Sequence, residues 1–313
     1  MFNALRFAGW CGFALGIVGA LSGLGAQEVL RVTWPTRHAA PAASASPEVA
    51  PYLPLLRASL DRMPESAVVK LALSRAGLLG VASGESERLG ELVGRRYALI
   101  AADPVFKSVP STLPYCFAES RQRQGLALVY RPRVLHERTP VLLFVHGYGG
   151  SFLWHLHQLA EWFPDHVIVC PSYGVDPSDI SAAYLAECIR ETTTTLGRAL
   201  GRPALVGFTA GGFGVVRVYA TDPAPYRQLV VLAAYPPDES FRAWPRSAHA
   251  GWIVGAREDY VADGGFATYA KSLAARSARF DSKVVVGAGA FFPLTHPEET
   301  RKTLRSWLSA PAR

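Results

Sequence analysis

Ala204-Leu205-Val206-Gly207-Phe208-Thr209-Ala210-Gly211-Gly212 decides how this chain folds. The stretch opens as a short apolar run of the kind that forms a buried strand. It passes through small residues into Phe213-Gly214-Val215-Val216, which continues as a helix over about Gly212–Ala220. A strand that bends straight into a helix brings backbone close to backbone, and Gly207 and Gly211 flank that bend. Positive φ at the middle residue is one way to make so sharp a turn. Thr209 stands there, and for a β-branched residue that conformation is an outlier costing roughly 1–3 kcal/mol. The sequence leaves open a strained turn, a relaxed one, and a plain glycine-rich connection.

The flanking sequence repeats the strand-then-helix pattern. Pro140–Val145, Val167–Cys170, Leu229–Leu232, Trp252–Gly255 and Lys283–Val286 are short apolar runs rich in β-branched residues. Between and after them lie helix-like stretches at about Phe152–Glu161, Ile180–Leu200, Gly265–Arg276 and Pro297–Leu308, with Asp179 a candidate N-cap for the second. Strands alternating with helices at this spacing predict a parallel sheet covered on both faces, an α/β fold. Leu126–Tyr130 and Tyr115–Phe117 are expected as leading antiparallel strands.

Three segments in order carry a resemblance. They are His146-Gly147-Tyr148-Gly149-Gly150 after one strand, Gly207-Phe208-Thr209-Ala210-Gly211 after another, and Gly255-Ala256-Arg257-Glu258-Asp259 after a late one. Residues from about 115 to 310 resemble the α/β-hydrolase superfamily, its esterase- and lipase-like members in particular. The resemblance implies a mostly parallel sheet flanked by helices. The segment between Leu232 and Trp252 is too short for a large lid.

It also implies roles. Thr209 occupies the nucleophile position of the G-x-S-x-G elbow, with threonine for serine. Tyr148, with Gly149 beside it, and Ala210 would supply the backbone N–H groups of an oxyanion hole. His146 fits better as a structural histidine under the glycine loop than as a catalytic one. Asp259 stands at the acid position, with Glu258 and Asp263 as neighbouring candidates. Gly289-Ala290-Phe291-Phe292-Pro293 has the frame in which the superfamily places its histidine, but Ala290 is at that position. His296 is the only histidine beyond the acid position. It is a candidate base, or a surface or capping residue.

A hydroxyl is a weak nucleophile without an adjacent base. Two of the three triad positions are altered, which implies a degenerate triad and a slow or non-catalytic protein. Such a protein would bind a small acyl or ester-like ligand in the crevice. The alternative is a carboxylic-ester hydrolase using Thr209, Asp259 and His296. Ser151, Cys170 and Ser172 could face the same crevice, but none has a base at readable spacing.

No nucleotide-binding glycine loop opens a βαβ unit, and no cofactor is implied. His155 and His157 are two apart on a helix-like stretch and do not share a face, so no metal site is expected.

Phe7–Ala26 carries no charge and follows a single arginine, Arg6. It suits an uncleaved anchor about 20 residues long or a signal peptide, for which Leu24 makes a poor cleavage pattern. A buried N-terminal helix is the remaining alternative. Either of the first two places the domain outside the cytoplasm, periplasmic or secreted, with the membrane as partner through residues 1–26. Residues 27–50, rich in Ala, Pro and Ser from Pro35 on, are expected to be a linker. Residues 51–110 have helical periodicity and form an extension outside the resemblance, packed on the core or roofing the crevice. Residues 111–313 are the hydrolase-like domain.

The 313 residues suffice for a large core. Net charge is +7, with Lys271, Arg276, Arg279, Lys283, Arg301, Lys302 and Arg305 crowded near the C-terminus. A solvated face explains them better than attraction to anionic lipid, and no motif suggests nucleic acid. Cys11, Cys116, Cys170 and Cys188 allow no disulfide scaffold, though one pair is conceivable outside the cytoplasm.

Overall fold

Val141–Val145 (β3), Val167–Ser172 (β4) and Ala204–Phe208 (β5) are buried along their whole length. They form the centre of an eight-stranded sheet. In the computed structural model, which describes residues 26–36, 53–60, 62–74, 83–117, 123–147, 153–174 and 180–308, the strand order is β1-β2-β4-β3-β5-β6-β7-β8. β1 is Glu28–Pro35 and β2 is Gln124–Arg131; β6, β7 and β8 are Gln228–Leu232, His249–Gly255 and Arg279–Val285. β3 to β8 run parallel, while β2 is antiparallel to both β1 and β4. Continuous apolar runs suit such a sheet because both faces are covered.

The helices are α1 (Leu53–Leu60), α2 (Glu65–Ser74), α3 (Ser83–Ala102), α4 (Leu113–Cys116), α5 (Leu153–Trp162), α6 (Ala182–Leu196), α7 (Ala210–Thr221), α8 (Asp259–Ala262), α9 (Gly265–Arg276), α10 (Phe292–Thr295) and α11 (Pro297–Leu308). One face of the sheet packs against Tyr184 and Leu185 of α6, Val215 and Tyr219 of α7, and Phe266 and Leu273 of α9. The other packs against Leu156 and Leu159 of α5 and Leu304 and Leu308 of α11. Val69 and Leu73 of α2 and Leu89, Val93 and Ile100 of α3 belong to that second cluster, so the extension is part of the core. Only a short 3₁₀ turn, Asp238–Phe241, interrupts the β6–β7 connection, and no lid is inserted there. This is the mostly parallel sheet flanked by helices that the resemblance to the α/β-hydrolase superfamily implies.

Several expectations need correction. Glu28–Pro35 is not the start of a linker but the edge strand β1, paired with β2 from Glu28↔Arg131 to Pro35↔Gln124. Val32 and Trp34 alternate inward, and Pro35 is tolerated at the end of an edge strand. The Trp34 indole lies on Gly125, where a Cβ would meet Cε2 at 2.1 Å, and its N–H donates to Glu187 of α6 at 3.3 Å. Tyr115–Phe117 is not a strand. Leu113–Cys116 forms a turn of helix with proline at its start, where the missing N–H costs nothing. The N-cap of α6 is Ser181, whose side chain accepts the Tyr184 N–H at 3.1 Å; Asp179 lies outside the described residues. So do residues 1–25 and 37–52.

Candidate functional site

The elbow keeps its shape. Thr209 sits between β5 and α7 at φ 47° and ψ −118°, so the turn is strained rather than relaxed. Its N–H donates to Leu232 O at 2.8 Å, tying the bend to β6, and its carbonyl accepts the Gly212 N–H at 2.8 Å. The flanking glycines are required by contact distance. A Cβ on Gly211 would lie 2.2 Å from His146 O, and one on Gly207 2.4 Å from a Val215 methyl. A Cβ on Gly147 would lie 2.1 Å from Thr209 Oγ1, so the glycine loop begins directly beside the threonine hydroxyl.

Ala210 is the first residue of α7 and is half-buried. Its N–H is one of the unpaired donors at a helix N-terminus, where the backbone carries partial positive charge. Tyr148, Gly149 and Ser151 lie outside the described residues.

His146 is buried under this corner. Its ring stacks on Tyr173 at 3.9 Å, its Nδ1 is 2.7 Å from Gly147 O, and its own carbonyl accepts the Tyr173 hydroxyl at 2.5 Å. Burial pulls its pKa down to about 3. A neutral imidazole donating from Nδ1 is a structural prop for the loop. His155 lies one layer further in, against Phe144 and 5.5 Å from the Phe208 ring.

The acid and base positions are arranged differently. Asp259 starts the short helix α8 and is exposed, as is Asp263. Glu258 points inward instead. Its Oε1 accepts the Gly255 N–H at 2.5 Å, it lies beside Tyr235, and burial raises its pKa. Ala290 is half-buried, and the next residue, Phe291, brings its ring within 6.3 Å of Phe208. His296 ends α10, with Nδ1 2.9 Å from Thr295 Oγ1 and its carbonyl accepting the Thr300 N–H of α11. That is a capping arrangement. Among the described residues, no hydrogen bond joins Thr209 Oγ1 to His296 or to any other base. None joins Asp259 to a histidine.

The other candidate nucleophiles are poorly placed. Cys170, like Cys188, is a buried thiol outside any disulfide, whose pKa burial pushes well up; Cys116 is also buried and in no disulfide. Ser172 is fully buried. Among the described residues no cluster of three His, Cys, Asp or Glu could hold a metal ion.

Sequence reasoning missed what the extension does here. Glu65, at the start of α2, is a buried carboxylate. It accepts the Tyr97 hydroxyl at 2.6 Å, the Ser111 hydroxyl, and the Leu153 N–H at 2.6 Å. Leu153 opens α5, the helix that follows the glycine loop, so Glu65 caps that helix from a distant part of the chain. Burial raises its pKa. Glu85 of α3 pairs with Arg257 at 3.0 Å and lies 3.1 Å from where a Gly289 Cβ would be. The extension therefore packs on the core and bonds both to the start of α5 and to Arg257 after β7. Glu65 follows Pro64 at a helix start, which reads as ordinary first-turn charge; no local signal separates it from a solvated glutamate.

No family model and no curated protein matches this chain. A search of solved structures does find similar chains. A predicted CIB-like hydrolase from Thermoplasma acidophilum is 18% identical, covering 59% of this chain and 92% of that one, with a TM-score of 0.45. Thermogutta terrifontis esterase 2 is 13% identical over 59% of this chain and 89% of its own, with a TM-score of 0.49. EstE1, a thermostable carboxylesterase from a metagenomic library, is 18% identical over 59% and 85%, with a TM-score of 0.47.

Proposed function

We propose that this is a non-catalytic or very slow α/β-hydrolase-fold protein that binds a small acyl or ester-like ligand at the elbow. One observation carries the proposal: Thr209 holds the strained elbow conformation while the His296 ring is hydrogen-bonded to Thr295 and not to Thr209. The Ala210 N–H remains available to hold a carbonyl oxygen, which needs no base. Without a base, a hydroxyl contributes little as a nucleophile. What is left is the binding and oxyanion stabilisation that survive loss of triad members, about 10³–10⁴-fold over water. The proposal includes tethering of the domain outside the cytoplasm by Phe7–Ala26. That segment is uncharged and long enough to span, and it directly precedes the described residues. Among the described residues no helix is long and apolar enough to cross a membrane.

The test uses the full chain with a short-chain activated ester and, separately, an uncharged short-chain acyl amide as ligand. Background hydrolysis equal to that of Thr209→Ala is expected, together with saturable amide binding that Ala210→Tyr abolishes by filling the crevice floor. Turnover that depends on Thr209 and on His296 would establish the alternative, an ester hydrolase using Thr209, Asp259 and His296.

A further inference from the structure

We propose that the edge of the domain formed by the start of β1 and the β2–β3 connection lies flat against a phospholipid bilayer, with the elbow turned away from it. The proposal rests on Phe7–Ala26 being an uncleaved anchor. What it adds is an orientation, and the described residues supply it.

The exit of the apolar segment is fastened to the sheet. Ala26, its last residue, has its carbonyl held by the Arg131 guanidinium at 3.0 Å. The Gln27 side chain donates to the Tyr130 hydroxyl, and Glu28 pairs with Arg131 at 2.9 Å. Only Gln27 separates Ala26 from the first residue of β1. At ~3.5 Å of reach per extended residue, that leaves no slack for the domain to stand off from a membrane.

The register says which end of the sheet is fastened. Glu28 faces Arg131, and Tyr130 faces Ile168 near the start of β4. The anchor therefore exits at the end where the parallel strands begin, whereas Thr209 and Ala210 lie where β5 ends. A five-residue strand at roughly 3.3 Å per residue separates the two levels.

The surface beside the exit suits a lipid interface. The connection after β2 is held by a reciprocal pair, His136 N–H to Thr139 Oγ1 at 2.8 Å and Thr139 N–H to His136 O at 2.9 Å. It presents Val134, 49% exposed, between exposed Arg133 and Arg138, whose stems can lie on acyl chains while their charges reach the headgroups. Exposed Glu137 and Asp165 share that rim, so the charge is mixed and the short tether, not net attraction, sets the contact. Three of the basic residues of the C-terminal quarter already have carboxylate partners. Lys283, Arg279 and Arg301 are paired with Glu299, Asp281 and Glu298. Ligands of the crevice then arrive from the aqueous side.

The test is a depth measurement on the full chain reconstituted in phosphatidylcholine vesicles that contain nitroxide lipid. A fluorophore is attached in turn through Val134→Cys and through Val286→Cys, each in a Cys11→Ser background. Val286 is 78% exposed and follows β8 at the elbow end. Most of the emission at position 134 should be lost, with little change at 286 and no release of the quenching by high salt. A chain that retains Phe7–Ala26 and floats with vesicles, yet shows no quenching at 134 or equal quenching at both sites, overturns the orientation and leaves the anchor intact. A mature protein whose mass shows that the segment has been removed overturns both.

Discussion

The two sides of the crevice have been kept differently. On the elbow side, Gly207, Ala210 and Gly211 surround a strand-to-helix turn in which Thr209 is held in a strained conformation. On the other side, Ala290 carries no titratable group, His296 caps a helix, and Glu258 is tied to backbone. The difference follows from what each side does for the fold. The elbow is where β5, α7 and the glycine loop touch at backbone distance, so its residues are needed for packing whatever the chemistry. Ala290 is half-buried at the edge of the core, where packing asks for no titratable side chain.

The strongest way to break this contrast is to restore the missing chemistry. Thr209→Ser combined with Ala290→His should raise hydrolysis of a short-chain activated ester about 10³-fold over either single change, if the elbow is preserved as described. No gain in initial rate would mean that the backbone on one of the two sides has also moved.

Acid should expose the structural role of His146. Its pKa is lowered to about 3 in the fold, against an ordinary value of 6.5. The unfolded chain therefore takes up a proton that the native state refuses. Stability is fully present above pH 6.5 and is lost as pH falls from there toward 3, by ~4 kcal/mol from this group. Urea midpoints across that range should show the slope, and His146→Phe should reduce it, leaving the part that comes from His155, His157 and His166, whose pKa values burial also lowers. A wild-type midpoint that is level between neutral pH and 4 would contradict the buried neutral imidazole.

The clamp by Glu65 has a smaller expected effect of opposite sign in pH. Its pKa is raised by burial, so the folded state holds its proton longer than the unfolded chain does. Stability from this group is complete below the ordinary carboxylate pKa and declines as pH rises through the raised value. Glu65→Ala should cost about 2 kcal/mol by leaving the Tyr97, Ser111 and Leu153 donors unpaired. Glu65→Gln should cost less and remove this decline with rising pH. Equal midpoints for the wild type and Glu65→Ala would show that the extension does not depend on the clamp.

The smallest change sharpens the elbow side. Thr209→Gly relieves a β-branched residue at φ 47° but adds chain entropy to the unfolded state. A net gain in stability of ~1 kcal/mol or less by thermal unfolding is expected. A loss well beyond that would mean the Thr209 side chain is itself part of the packing.

Much of this molecule was readable from local pattern. Continuous apolar strands, helices between them, and Gly207 and Gly211 at the bend specify backbone geometry within a few residues, because strand burial and steric closeness are written in adjacent positions. β1 was misread because Pro35 and the Ala/Pro/Ser run beyond it masked the alternation of Val32 and Trp34. The turn at Leu113–Cys116 was misread because Tyr115–Phe117 has strand-like composition, whereas Pro114 starts a helix.

The sequence by itself determined the α/β architecture, the glycines that flank Thr209, and the absence of a histidine at position 290; that the turn at Thr209 is strained is a finding of the structure. Only the tertiary structure decided which carboxylate turns inward, where His296 points, and that Glu65 and Glu85 come from 88 residues and more away to bond to the start of α5 and to Arg257. The reason is physical. A strand or a tight turn is stabilised by neighbours in the chain, but the partner of a buried charge is chosen by whichever donors the fold brings to it.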